Sequence, residues 1–270
     1  ISTVDLEHFL NYLSYYNYYG KDCSNNEKAK ARKLSAVKSL FQYLFNKDMI
    51  SSNITQKIKA PKLHEKEIIR LEIDEIVKLL NIAESGDDLS EGQKRFHKDL
   101  KERDLAIFTL FLGTGIRISE FVGLNLQDIN FENNSFKVLR KGGNEAILYF
   151  SDEVADALKP YLKWRAEKLA EKNIQEDALF ISLQLNRIST RAVENLVKKY
   201  CKIIAPLKTI TPHKLRSTYG TALYRETKDI YIVADVLGHK DVNTTKKHYA
   251  AISDDIRRQA ASKVKLRDND

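Results

Sequence analysis

The residues best suited to chemistry in this sequence lie between Thr211 and Tyr249. His213 and Arg216 are three residues apart, so both leave the same face of a helix if Pro212 occupies its first turn. Arginine offers a planar fork of donors that matches two phosphate oxygens, and histidine offers a hydrogen bond or a proton near neutral pH. The helix N-terminus adds its dipole and free N–H groups. The spacing therefore predicts a phosphate-binding site.

A second group of candidates closes the same stretch. Gly238 permits a turn after an apolar run that ends at Leu237, and His239 follows directly. Tyr249 comes ten residues later, and its hydroxyl is a candidate nucleophile. These residues add a second histidine and a nucleophile to the predicted phosphate-binding pair, His213 and Arg216.

Two more motifs precede this stretch. Residues 114–120 read Thr-Gly-Ile-Arg-Ile-Ser-Glu and contain Arg117, and residues 140–143 read Arg-Lys-Gly-Gly between two strand-like runs. With His213-x-x-Arg216, the Leu-Gly-His run at 237–239 and Tyr249, these motifs resemble, in order, the signature of the tyrosine recombinases, the phage integrase and Xer family. Ordered motifs over this length are a far more specific signal than a lone His-x-x-Arg.

The resemblance implies a site-specific recombinase that cuts and rejoins double-stranded DNA at specific recombination sites, through a 3′-phosphotyrosine intermediate and a Holliday junction. Such a reaction needs a nucleophile, charge stabilisation on the non-bridging oxygens, and an acid for the departing 5′-oxygen. Tyr249 is the implied nucleophile. Lys141 is the candidate acid, because family members carry a lysine on this hairpin that reaches into the minor groove. The implied catalytic set is Arg117, Lys141, His213, Arg216, His239 and Tyr249.

Neither a cofactor nor a metal ion is expected. Two fixed guanidinium groups, those of Arg117 and Arg216, can replace a metal, and the sequence shows no clustered carboxylates to bind one. Two alternatives stay open. A type IB topoisomerase would use the same chemistry to relax DNA without exchanging partners, and a catalytically silent DNA-binding protein would share the scaffold. The intact set of implied catalytic residues argues against the silent protein.

The composition suits a DNA partner without requiring one. The 270 residues include 45 Lys and Arg against 37 Asp and Glu, for a net charge of +8 and a pI near 9.2. A basic protein with another role fits this charge equally well. Cys23 and Cys201 have no metal-ligand spacing, so we expect no disulfide framework and no zinc site, which fits the reducing cytoplasm. With no run long enough for a membrane span and no signal peptide, we expect no membrane partner.

The sequence pattern of the elements that position these groups predicts a mainly α protein with a small β-sheet, divided into two domains. Residues 1–62 are expected to form a helical core-binding domain. By resemblance, this domain clamps DNA from the side opposite a mixed α/β catalytic domain at 63–270. Charged residues around Pro61 mark the boundary. Because the first domain begins at Ile1 and is short for the family, we expect part of it to lie outside this sequence.

Two helices are predicted in the first domain. One begins at Ser2 or Thr3, runs through Leu13 and ends near Gly20; the other covers 26–46. The second has a basic face, for which the resemblance favours DNA contact, and a buried stripe made of Ala29, Leu34, Val37, Leu40, Phe41 and Leu44. Tyrosines at helical spacing are usually half-buried packing residues, and we expect this of Tyr12, Tyr15, Tyr16, Tyr18 and Tyr19.

Apolar periodicity predicts the helices of the catalytic domain, at 71–82, 103–112, 151–172 and 190–204. Ile73 and Val77 are among the inward-facing residues of the first. The polar stretch 85–98 indicates an inserted loop or short helices. Pro160 is expected to kink or break the helix at 151–172.

The remaining motifs lie at the ends of predicted elements. Two strands at 135–139 and 146–150 flank the turn that contains Lys141. Glu120, three residues after Arg117, is expected to pair with it, either as a structural partner or to aim it at a phosphate.

The tail after Tyr249 carries one narrow apolar stripe that must dock on another surface, formed by Ile252, Ile256, Ala260 and Val264. Docking in cis is the simpler alternative, but in related recombinases a carboxy-terminal segment is exchanged between protomers. We therefore expect a homo-tetramer on paired sites, joined through this tail. The ten residues from His239 to Tyr249 are one more than in most relatives, so the turn at 240–243 must absorb the extra residue.

Overall fold

The computed structural model describes residues 1–62, 69–140, 142–238 and 242. The chain divides into two compact units, Ile1–Glu67 and Ile68–Asp270. Most of the described elements are helices, and the described strands form a two-stranded and a three-stranded antiparallel sheet. This confirms the predicted fold class, mainly α with a small β-sheet. None of the helices in these ranges combines the length and apolarity needed to cross a membrane.

The first unit contains two capped helices on either side of a β-hairpin. Its elements are α1 (Thr3–Tyr12), β1 (Tyr16–Tyr18), β2 (Lys21–Cys23), α2 (Glu27–Asn46) and a 3-10 helix at Ile54–Lys57. The side chains of Ser2 and Asn26 accept hydrogen bonds from backbone amides in the first turns of α1 and α2, so both helices begin where the sequence predicts. Leu6, Leu34 and Ile58 form the buried centre of the unit.

The segment between α1 and α2 differs from its predicted structure. Rather than continuing as a helix towards Gly20, it forms an antiparallel hairpin whose turn has Tyr19 and Gly20 at positive φ. The expected half-burial is wrong for Tyr12, Tyr15, Tyr18 and Tyr19, which are exposed. A hairpin with strands of three residues offers little surface to cover them. Leu40, predicted to be buried in α2, is also exposed.

The second unit is built around one long helix and a three-stranded sheet. Its helices are α3 (Ile73–Ser85), α4 (Glu91–Thr114), α5 (Ile118–Gly123), a 3-10 helix at Leu126–Asp128, α6 (Asp152–Lys172), α7 (Thr190–Ile204), α8 (Pro212–Thr227) and α9 (Ile230–Val236). Its strands are β3 (Ile129–Asn130), β4 (Ser135–Leu139) and β5 (Glu145–Tyr149). β4 is the central strand, with Phe136 opposite Ile129 on one side and Leu148 on the other. The hairpin and the helices α6 and α7 confirm their predictions.

An aromatic stack runs through the core of this unit. Ring centroids are 4.7 Å apart for Phe111 and Phe121, 4.4 Å for Phe121 and Phe180, and 5.0 Å for Phe180 and Tyr161. All these rings are buried, and each such ring contributes roughly 1.5–3 kcal/mol of transfer free energy. The stack joins α4, α5 and α6, and so fixes the turn between α4 and α5.

Three details correct the predictions for this unit. The stretch 85–98, predicted as an inserted loop or short helices, instead joins the long helix α4 from Glu91 onwards, because Ser90 and Gln93 form a capping box that starts it. Ile73 and Val77 are exposed rather than inward, since the buried residues of α3 are Leu79, Ile82 and Ala83. Pro160 lies inside α6 without ending it, so the predicted break does not occur.

Candidate active site

The helix α8 begins as the sequence predicts, and it carries two of the candidate residues. Thr211 is its N-cap residue and Pro212 occupies the first turn, where proline costs no hydrogen bond. His213 is exposed at this end of the helix, whereas Arg216, one turn later, is buried. The two side chains therefore project from the same helix but differ in their exposure to solvent.

Arg216 links two distant turns of the second unit. Its side chain is 5% exposed, and its guanidinium donates hydrogen bonds to the backbone carbonyls of Gly115 and Leu237. Gly115 ends α4 and Leu237 caps α9. Carbonyls at the C-terminal end of a helix lack intrahelical partners and carry partial negative charge. The buried positive charge of Arg216 is thus placed where helix ends stabilise it.

Arg117 is held by a carboxylate on one side and by the end of α9 on the other. Its Nη1 donates to Oε1 of Glu120 at 2.6 Å, and its backbone N–H donates to Oε2 of the same residue at 3.0 Å. Its Nη2 donates to the carbonyls of Leu237 at 3.0 Å and Gly238 at 2.8 Å. The pairing with Glu120 expected from the sequence is present. Since the Glu120 side chain is only 3% exposed and that of Arg117 is 35% exposed, the carboxylate orients a guanidinium that solvent still reaches.

The two arginines meet at one atom. The carbonyl oxygen of Leu237 accepts a hydrogen bond from both Arg117 and Arg216. Like charges held close together repel, and here the partial negative charge of the α9 C-terminus and the carboxylate of Glu120 compensate them. The fold therefore brings two guanidinium groups together at the turn that leads into His239. Such a pair is suited to binding an anion.

A third arginine, which sequence reasoning did not single out, reaches the same turn. Arg140 follows β4, and its Nη2 donates to the carbonyl of Val236 at 3.0 Å. Its guanidinium fills the space beside Gly238, where an added Cβ would lie 2.4 Å from Nη1. Its Nε is buried and has no hydrogen-bond partner among the described residues. The only sequence signal was the position of Arg140 beside Lys141.

Gly115 is needed for this arrangement on two counts. It adopts a positive φ of 61° at the end of α4, and a Cβ there would lie 2.4 Å from Cδ1 of the Tyr219 ring. Burial raises the pKa of Tyr219, with the charge of Arg216 acting in the opposite direction. Tyr219 therefore remains a neutral phenol, and it packs against Val233 and Leu237.

Replacing Gly115 by alanine is expected to lower the free energy of unfolding by at least about 2 kcal/mol, because a left-handed backbone costs L-residues about 1–2 kcal/mol and the methyl group also collides with a ring. Thermal unfolding monitored by circular dichroism measures this effect. Gly123→Ala is the matched control, because a Cβ at Gly123 meets no described atom within 4 Å. Equal melting temperatures for the two variants would contradict the requirement for glycine at position 115.

The structure thus assembles part of the predicted set. It places Arg117 and Arg216 together, with His213 on the same helix as Arg216. Lys141, His239, Tyr249 and the apolar tail lie outside the described residues. Within the described ranges, no group of three His, Cys, Asp or Glu side chains is arranged to hold a metal ion.

Comparison with known proteins identifies the family. The model of the phage integrase family matches residues 69–255. The chain is 37% identical over 270 residues to tyrosine recombinase XerC of Caldanaerobacter subterraneus subsp. tengcongensis, in an alignment that covers 98% of this chain and 70% of the relative. It is 29% identical over 246 residues to tyrosine recombinase XerD of Oceanobacillus iheyensis, with 91% of this chain and 76% of the relative covered.

Solved structures show the same fold. The XerH site-specific recombinase bound to palindromic difH substrate matches with a TM-score of 0.73 at 20% identity, over 97% of this chain and 72% of that one. The Tn1549 transposon integrase in complex with transposon right end DNA matches with a TM-score of 0.68 at 19% identity, over 96% and 86%. The family model and the sequence relatives cover the arginine pair and most of the chain, which therefore belongs to the phage integrase family of tyrosine recombinases.

Proposed function

We propose that the chain is a site-specific DNA recombinase that cuts and rejoins double-stranded DNA. The observation that carries this proposal is the convergence of Arg117 and Arg216 on the carbonyl of Leu237, two residues before His239. Two guanidinium groups at this position can bind the non-bridging oxygens of one phosphate. The similar XerH structure contains its difH substrate and the similar Tn1549 structure contains transposon-end DNA, which supports duplex DNA as the partner.

The reaction requires a nucleophile, a base and an acid beside the arginine pair. The hydroxyl oxygen of Tyr249 attacks phosphorus, and its proton passes to His213. The bond from phosphorus to the 5′-oxygen breaks, and Lys141 donates a proton to that oxygen. The products are a 3′-phosphotyrosine and a free 5′-hydroxyl. Because the phosphotyrosine conserves the energy of the broken bond, a 5′-hydroxyl from a second duplex can reseal the strand without ATP, and two such exchanges pass through a Holliday junction.

Charge stabilisation is assigned to the arginine pair and not to a metal ion. Arg117 remains partly exposed while its direction is fixed by Glu120, and Arg216 is fixed by two carbonyls. Donors held in this way need no reorganisation when negative charge develops on the phosphate. His239, which follows Gly238, adds a further hydrogen bond in this proposal. Cleavage would then be independent of metal ions.

The experiment that tests this function uses a library of nicked duplexes. A nick beside the cleaved bond releases a short fragment, so religation fails and the covalent complex accumulates. A recombinase is expected to give adducts that share one sequence and to join strands from two different duplexes. A type IB topoisomerase would relax supercoiled DNA without joining two duplexes. A silent DNA-binding protein would give no adduct.

We propose that the first unit clamps the DNA, with residues 1–62 as a core-binding domain. This segment has ten Lys and Arg residues against five Asp and Glu, which favours a polyanion. At its hairpin, the Tyr18 and Tyr19 rings are exposed and pack against each other with centroids 4.5 Å apart. Nearby, the Lys33 ammonium lies 5.4 Å from the centroid of the Tyr16 ring. Exposed aromatic rings beside lysines suit contact with sugars and bases next to phosphates.

Changing Tyr18 and Tyr19 together to alanine is expected to weaken duplex binding by about tenfold, because aromatic contacts with nucleic acid are worth about 1–3 kcal/mol. Fluorescence anisotropy over a salt series measures the effect. Since neither tyrosine is charged, the steep dependence of affinity on salt should be the same in the variant. Met49→Ala, a similarly exposed side chain in the same unit, is the control. Unchanged affinity in the double variant would remove the hairpin from the interface.

Deleting the residues after Asp255 is expected to preserve binding to a single site and to reduce assembly of four protomers on paired sites, because most of the apolar stripe that would dock on a neighbouring protomer is removed. Analytical ultracentrifugation with one-site and two-site DNA compares the two states. If the truncated protein still assembles the tetramer fully, the tail docks on its own protomer rather than on a neighbour. The proposal of a homo-tetramer joined through this tail rests on the sequence stripe and on the need to couple active sites in pairs.

The proposed location is the cytoplasm, where a protein acting on bacterial-type recombination sites meets its DNA. Cys23 and Cys201 are free thiols. Burial raises the pKa of Cys201 to about 12, so this thiol stays protonated near neutral pH. Both observations are compatible with a reducing compartment.

A further inference from the structure

Arg140 is attached to two parts of the site at once. Its side chain donates to the Val236 carbonyl at the end of α9. Its backbone closes the hairpin turn, because the Arg140 N–H donates to the carbonyl of Asn144 at 2.8 Å and the Gly143 N–H donates to the carbonyl of Arg140 at 3.1 Å. The turn closed by these two bonds contains Lys141. Arg140 therefore connects the turn of the candidate acid to the turn that the other two arginines hold.

The side chain of Arg140 is held by contacts as well as by its hydrogen bond. Its guanidinium occupies the space that a side chain at position 238 would take, with Nη1, Cζ and Nε all within 3.0 Å of an added Cβ on Gly238. Gly238 also has a positive φ of 58°. Arg140 is half-buried, and a buried Nε without a hydrogen-bond partner among the described residues is costly to hold in place. A solubilising surface arginine would extend into water instead.

Loss of Arg140 would affect its two attachments unequally. The end of α9 would keep the hydrogen bonds that Arg117 and Arg216 make to Leu237, and the one from Arg117 to Gly238. The hairpin would lose its side-chain hydrogen bond to α9. The expected consequence is a Lys141 turn that moves relative to an intact phosphate site.

We propose that Arg140 is a positioning residue that fixes the Lys141 turn against the phosphate-binding arginines, so that Lys141 can protonate the departing 5′-oxygen. This inference rests on the proposed function, in which Lys141 is the acid. Arg140 itself takes no part in bond breaking. Its effect should therefore disappear whenever the leaving group needs no proton.

A pair of substrates separates this role from a purely structural one. One is the ordinary nicked duplex, and the other carries sulfur in place of the bridging 5′-oxygen at the cleaved bond, because a thiolate leaves without an acid. Arg140→Ala is expected to slow cleavage of the ordinary duplex by about tenfold or more, because a misplaced acid loses part of the roughly 10²–10⁴-fold that acid catalysis supplies. On the sulfur duplex, the variant should recover to within about threefold of the unmodified protein. Lys141→Ala provides the reference for complete loss of the acid.

The matched control is Lys137→Ala, on the same hairpin, where Nζ pairs with Glu145 across the strands at 3.1 Å and the side chain is exposed. It should leave both cleavage rates unchanged. Where Arg140→Ala fails to fold, judged by circular dichroism and duplex binding, Arg140→Lys undergoes the same comparison, because its single ammonium cannot fill the guanidinium's place beside Gly238.

Each outcome decides the inference. The positioning role is supported if Arg140→Ala cleaves the ordinary duplex slowly and the sulfur duplex at nearly the rate of the unmodified protein. The positioning role is overturned if Arg140→Ala cleaves the ordinary duplex at the wild-type rate. It is also overturned if Arg140→Ala is slowed equally on both duplexes while sulfur rescues Lys141→Ala. Either result leaves the proposed function standing. Failure of Lys141→Ala to be rescued would instead overturn the acid assignment on which the inference rests, and absence of any adduct from the unmodified protein would overturn the proposed function.

Discussion

Replacing Arg216 by alanine is expected to reduce strand cleavage by about a hundredfold to a thousandfold and to destabilise the second unit. The catalytic loss follows from removing a preorganised donor to the phosphate, since a single such donor is worth about 10²–10³ in rate. The structural loss follows from burial. The Leu237 carbonyl would keep its hydrogen bond from Arg117, but the Gly115 carbonyl would lose its charged donor, and a buried unsatisfied group costs about 1–3 kcal/mol.

Two further variants separate these effects. Arg216→Lys keeps the charge but not the planar fork, so it cannot reach both carbonyls and the phosphate together. It should fold better than the alanine variant and still cleave about a hundredfold more slowly than the unmodified protein. Arg225→Ala, on the same helix α8 but about two and a half turns beyond Arg216, is the control and should cleave normally. Single-turnover cleavage of a nicked duplex, with thermal unfolding alongside, measures both effects. A folded Arg216→Ala protein with near-normal cleavage would contradict the assigned role.

Replacing Tyr249 by phenylalanine is expected to abolish the covalent adduct while leaving duplex affinity within about twofold of the unmodified protein. Only the nucleophilic oxygen is lost, and the phosphate contacts of the two arginines do not depend on it. Tyr231→Phe and Tyr224→Phe, which change two tyrosines that precede Tyr249 and match no family motif, are the controls and should still form adducts. Gel analysis of trapped complexes and a parallel binding titration give the two readings. An adduct from Tyr249→Phe would show that another residue is the nucleophile.

The sequence was most informative where local rules determine structure. α7 spans the predicted residues 190–204, and α8 begins, as predicted, with Pro212 in its first turn. The hairpin of β4 and β5 follows from alternating residues around a glycine-rich turn. The pairing of Arg117 with Glu120 is a contact between residues three apart, so spacing alone suggests it.

The errors arise where tertiary packing decides. The first turns of α4 are polar, so apolar periodicity missed them, although Ser90 and Gln93 carried a capping-box signal. Ile73 and Val77 have the spacing of a buried stripe on α3, but they lie outside the face that carries Leu79. Tyr15, Tyr18 and Tyr19 are exposed where a short hairpin replaces the predicted end of a helix, and Tyr12 is exposed on α1 itself.

The contacts that assemble the site could not be read from sequence. Arg216 and Arg117 both bind the backbone carbonyl of Leu237, and Arg140 binds that of Val236, 96 residues away. A backbone carbonyl carries no residue identity, so no pattern in the sequence marks it as an acceptor for a distant arginine. The motifs indicated which arginines matter, while their common meeting point required the fold. Arg140 belongs to no implied catalytic set and emerged only from its contacts.

The central claim, covalent DNA strand transfer through Tyr249, is tested most directly by locating the DNA on the protein. A nicked duplex carrying the selected site traps the adduct, protease and nuclease digestion reduce it to a peptide bearing one nucleotide, and mass spectrometry identifies the modified residue. We predict a nucleotide linked through its 3′-phosphate to Tyr249. A 3′-phosphate on any other residue, or a 5′-linkage, would contradict the account.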